Sequence, residues 1–89
     1  MNYKLFKEKP YNAVPAAFAP KPGDLVVSID PDNKLPVEKN YLVGHMRENF
    51  ILQLGVFWDL KSAKIFANAL NRGQIEKIAD AAFKKKPAQ

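Results

Sequence analysis

The sequence predicts a small α+β domain: an antiparallel sheet of about three strands (25–29, 41–46 and 50–57) followed by two C-terminal helices (59–72 and 74–85). Three observations predict it. Leu25-Val26-Val27-Ser28-Ile29 is β-branched and apolar, as strands are. Two apolar runs flank Arg47-Glu48-Asn49, which is the pattern of a hairpin. From Asp59 onward the apolar residues recur at helical spacing.

Residues 1–22 come first and read as a proline-rich extended arm. Pro10, Pro15, Pro20 and Pro22 each fix their own φ and bias the preceding residue away from helix. Tyr3, Phe6, Tyr11 and Phe18 are interleaved with Lys4, Lys7, Lys9 and Lys21. Two readings are open: the aromatics dock on the body, or the arm folds on a partner, with rings stacking and lysines meeting phosphates. Burial favours docking, since a large aromatic gains about 1.5–3 kcal/mol when taken out of water.

The body spans residues 23–86, with 87–89 as a tail. Lys21-Pro22-Gly23-Asp24 is a turn signal before the first strand. Asp30-Pro31-Asp32-Asn33 is a second turn. Its acidic spacing hints at a calcium loop, but the loop's obligatory glycine and glutamate positions hold Leu35 and Tyr41. Pro36 makes 35–40 a poor central strand. In the hairpin, a two-residue turn at Glu48-Asn49 sets Arg47 against Phe50, His45 against Leu52, Val43 against Leu54 and Tyr41 against Val56. That register leaves Leu42, Met46, Ile51 and Phe57 on the opposite face. The turn lacks glycine, so a loop of three or four residues is also open. Gly44 and Gly55 inside strands signal a bulge or a close backbone approach.

Asp59 is placed to cap the first helix, whose stripe is Leu60, Ala63, Ala67 and Leu70, widened by Phe66. Gly73 suits the left-handed position that ends a helix. Ile75, Ile78, Ala79, Ala82 and Phe83 form the second stripe. Lys84, Lys85 and Lys86 sit at the negative end of that helix, and Pro87 ends it.

Composition bounds the function. The chain has 89 residues, 47% of them apolar, which suits one domain with a core. It has no cysteine, so disulfides and thiolate metal sites are excluded. Its single histidine, His45, excludes any site needing two imidazoles. No glycine-rich run opens a helix, and the only serines are Ser28 and Ser62, so no cofactor or catalytic set is expected. No run approaches the ~18 apolar residues of a membrane span, and no uninterrupted apolar leader core is present. The expected compartment is the cytoplasm. The net charge of +5 fits either a soluble surface or an acidic partner.

Gly23-Asp24-Leu25-Val26-Val27, the Asp30–Asn33 turn and Leu35–Tyr41 before a hairpin resemble the opening of a Src-homology-type small barrel. Short proteins of this type are common in bacteriophage genomes, and the resemblance implies a non-enzymatic binding module. Two helices stand here where such a barrel has a short turn and a last strand. Gln53, Gly55, Phe57, Ala63, Leu70 and Gly73 are similar to the first strand and helix of a sporulation-related (SPOR) repeat, which implies glycan binding.

The expected function is therefore a protein-interaction module that binds, and inhibits or regulates, a larger host protein. The residues expected to bind are Tyr3, Phe6, Tyr11, Arg47, Trp58, Lys84, Lys85 and Lys86. The alternatives are nucleic-acid binding by the basic-aromatic arm and glycan binding of the SPOR kind. Oligomeric state is open.

Overall fold

The computed structural model describes residues 2–32 and 40–84, with the side chains of Phe83 and Lys84 left aside. Its order is β1 (Lys4–Phe6), two 3₁₀ turns (Tyr11–Ala13 and Ala16–Phe18), β2 (Leu25–Ile29), β3 (Tyr41–Met46), β4 (Ile51–Phe57), α1 (Leu60–Ala69) and α2 (Arg72–Lys84). The four strands lie in the order β1-β2-β3-β4. The α+β class and the two C-terminal helices agree with the sequence. The sheet is larger by one strand and is mixed, because β1 pairs with β2 in parallel.

Lys21-Pro22-Gly23-Asp24 makes the turn into β2. The Asp24 N–H donates to the Lys21 carbonyl at 3.0 Å, and Gly23 takes a φ of +97°. Proline second and glycine third are what a type II turn requires. The Asp24 carboxylate accepts from the Lys21 N–H at 2.8 Å and pairs with Lys4 of β1 at 3.2 Å. These contacts, the Lys21 hydrogen bond foremost, hold Asp24 below the usual carboxylate pKa. After β2, Asp30 accepts from the Asp32 N–H at 2.9 Å, the self-capping expected of that turn. The calcium-loop positions from 33 to 39, and Lys85 onward, lie outside the described residues.

Both faces of β2 are buried. Leu25 and Val27 point to the first face, where they join Val43, Ala63, Ala67, Leu70 and Ile75 in the core. Tyr3, Tyr41, Leu54, Phe57, Leu60 and Phe66 pack around it. The small Ala63 and Ala67 let α1 lie close to the strands, and both are fully buried. Val26, Ser28 and Leu42 point to the second face and are also buried. The segment between β1 and β2 lies there: Tyr11 donates its backbone N–H to Ser28 Oγ at 2.8 Å.

The hairpin begins as the two-residue turn sets it. The Arg47 N–H donates to the Phe50 carbonyl at 2.8 Å, and His45 faces Leu52. The register then shifts. Val43 faces Gly55 and Gly44 faces Gln53, which leaves Leu54 as the extra residue of a bulge. Tyr41 therefore faces Phe57, not Val56, and the faces beyond the bulge exchange. Phe57 turns to the helices, where its ring lies 5.1 Å from that of Phe66, centroid to centroid. It covers Gly55, where a Cβ would sit 3.0 Å from the ring.

Asp59 caps α1, accepting from the Ser62 N–H at 2.7 Å. The break between helices falls earlier than Gly73. Leu70 is extended, and Gly73 lies inside the first turn of α2. The cause is a reciprocal cap. Gln74 N–H donates to Asn71 Oδ1 at 2.9 Å, and Asn71 N–H donates to Gln74 Oε1 at 3.1 Å. This capping box satisfies two backbone donors that a glycine-ended helix would leave to water. α2 then buries Ile75 and Ala79, while Ala82 of the predicted stripe is exposed.

Candidate interaction surface

The large apolar side chains left in solvent are the starting point. Trp58 is 71% exposed, Phe18 69%, Ile65 61%, Phe50 47%, Val56 41% and Leu5 37%. Isolated examples are normal on any protein. Val56 and Trp58 are different because of where they stand. Val56 faces Leu42 on the second side of the sheet, and Trp58 directly follows the last residue of β4. α1 and α2 pack on the other side, so neither helix covers Val56.

β4 is also an edge strand. Edge strands expose unpaired backbone groups and are commonly defended by charge, proline or brevity. The other edge, β1, is three residues long and carries Lys4. β4 has seven residues, and from Phe50 to Trp58 the chain holds no charged residue and no proline. Its one defence is the bulge at Leu54. An uncharged edge strand and two exposed apolar side chains thus meet at one place, Gly55–Trp58.

The residues expected to bind are not gathered into one patch. Tyr3 packs against the core, Phe6 is half-buried opposite Ser28, and Tyr11 is half-buried beside it. Burial, and then Asp32 and Asp30, raise the pKa of the Tyr11 hydroxyl. Phe6, on β1, lies roughly 14 Å from β4 at ordinary strand spacing, and Tyr11 lies against β2. Arg47 is at the hairpin end of β4, its Nη2 3.8 Å from Glu76 Oε1, and Trp58 is at the other end. Lys84 ends α2; Lys85 and Lys86 lie outside the described residues. Val56 escapes the sequence reading because the unshifted register turns it toward the helices. The missing charge between residues 50 and 58 is the signal that could have found it.

Two shallow clefts stand apart from this surface. One, of about 190 Å³, is lined by Asn2, Tyr3, Lys4, Asp24 and Leu25; the other, of about 210 Å³, lies between β1 and Val14. Both fall below the ~300–1,000 Å³ of small-molecule sites. Among the described residues, no group of three or more His, Cys, Asp or Glu side chains is placed to hold a metal. No described helix is long and apolar enough to cross a membrane. Comparison with protein-family models, curated proteins and solved structures gives no match to this chain.

Proposed function

We propose that the chain is a non-catalytic protein-interaction module that binds a larger protein through the Gly55–Trp58 end of β4. The observation that carries this reading is Trp58, 71% exposed beside an uncharged edge strand. Tryptophan is among the residues that most often dominate binding energy, and a sheet edge adds backbone hydrogen bonds. The net charge of +5 favours an acidic partner. Such a module acts by occupying surface that its partner uses, which makes inhibition or regulation of a larger host protein its natural effect.

The nucleic-acid reading has less support. Its stacking groups, Tyr3, Phe6 and Tyr11, are half-buried on the body. Glycan binding rests on the SPOR resemblance alone.

Capture from a lysate of the source cells, with wild type and Trp58→Ala side by side, tests the reading. A stoichiometric protein partner should bind wild type and lose at least about 2 kcal/mol, roughly thirtyfold in affinity, on Trp58→Ala. Circular dichroism should show both chains equally folded. Equal binding by the two, or recovery of nucleic acid that salt strips away, would remove the reading.

A further inference from the structure

At the hairpin end of the sheet three buried side-chain nitrogens lack a hydrogen-bond partner: His45 Nδ1, Arg47 Nε and Arg47 Nη2. His45 lies on β3 between Leu25 of β2 and Leu52 of β4. Arg47, two residues on, reaches toward α2, where Glu76 Oε1 stands 3.8 Å from Nη2. That is an ion pair beyond hydrogen-bond range. The Nε–Nη2 edge of a guanidinium is the fork that fits a carboxylate with two bonds, and here it makes none. α2 is therefore fastened at this corner by a loose pair and by the buried Ile75 and Ala79.

We infer that His45 is a proton-operated latch on α2: charging its ring loosens this helix from the sheet while the strands stay paired. In the neutral ring, Nδ1 is only an unused acceptor. Protonated, Nδ1 becomes a cationic donor at a buried atom with no partner within hydrogen-bond range. The charged groups facing it are Arg47 from the end of β3 and Glu76 and Arg72 from α2, with the Gly23 backbone on the β2 side. Glu76 and Gly23 favour the charged ring; burial, Arg47 and Arg72 disfavour it. The balance lowers the imidazole pKa, with burial the largest cause. The ring is half-buried, and relief comes when water reaches Nδ1. Of the elements around it, β2 and β4 are held by backbone ladders, whereas α2 is held by side chains. α2 is the wall that yields.

The sign follows from the lowered value. Docking of α2 is at full strength above the ordinary histidine pKa of about 6.5. It weakens as pH falls from there through the lowered value of the folded state, because the released state binds the proton more tightly. Opening then bares the first-face core under Ile75, so the apolar surface offered to solvent differs between neutral and mildly acid conditions.

Amide hydrogen exchange on the full chain, normalised to unstructured-peptide rates at each pH, tests this. Between pH 7.5 and 5 (roughly the span over which histidines charge) opening at residues 75–82 should rise about tenfold for each unit of pKa lowering. Amides of residues 42–44, on the central strand β3, should keep their protection. His45→Gln should abolish the change, and His45→Phe should do the same if the glutamine chain folds poorly. In wild type the ring's own NMR titration and α2 opening should share one midpoint. Helix and sheet opening together, separate midpoints, or a pH response that survives in a folded His45 variant would each overturn the latch.

Discussion

Ile75→Ala is expected to lower the unfolding free energy by about 2–5 kcal/mol. Ile75 is 1% exposed and is the residue through which α2 enters the core formed by Leu70, Ala67 and the strands. Truncating it removes buried methyl groups and leaves a gap beneath a helix with little else to hold it. Small domains have only about 5–15 kcal/mol in total, so the loss is a large share. Ile65→Ala is the matched control. Ile65 is 61% exposed on α1, and its truncation should stay within about 0.5 kcal/mol. Urea titrations followed by circular dichroism give both numbers. Equal losses at the two positions would mean that α2 is not packed as described.

Gly44→Ala should cost about 1–3 kcal/mol, although it adds one methyl group. The new Cβ would lie 2.7 Å from both Cγ1 and Cδ1 of Ile51 and 3.2 Å from the Leu52 carbonyl oxygen. Glycine is needed here for the approach of a neighbouring side chain, since φ at Gly44 is not positive. Ile51→Ala removes the obstructing atoms. The double variant should therefore be more stable than the sum of the two single losses predicts, by at least about 0.5 kcal/mol. Strict additivity would place the cost elsewhere, in the backbone of the bulge.

The legible parts of the fold share one property: their signal is local. β2, β3 and the two helices announce themselves through composition and period within a few residues. Asp59 and the Lys21–Asp24 turn do so through single side chains. β1 gives no such signal. Lys-Leu-Phe is too short to show alternation, and its partner lies beyond four prolines. The helix break is misplaced for a different reason. Gly73 is a strong stop signal, but Asn71 and Gln74 form a stronger start signal two residues earlier. The hairpin is legible as far as Leu52. Beyond it the two glycines advertise an irregularity without saying which strand carries the extra residue. That single ambiguity hides Val56, and with it half of the candidate surface. Trp58 is legible as the end of an aromatic pair directly before the Asp59 cap. For the arm aromatics the sequence favours docking on the body, but nothing local shows what they fold against.

The parallel pairing of β1 with β2 also sets an order of events. β3 and β4 are joined by a tight turn, and β2 meets β3 first where Ile29 faces Tyr41, 41 − 29 = 12 residues on, whereas Phe6 and Ser28 are 28 − 6 = 22 residues apart. Lys4 reaches Val26 only after the whole intervening segment has turned back, and such long-range closure is entropically late. Phe6→Ala should accordingly quicken unfolding and leave the folding rate nearly unchanged; a slowed folding limb would put β1 in the nucleus instead. In refolding, the strand nearest the N-terminus is accordingly expected to pair after the β3–β4 hairpin has formed.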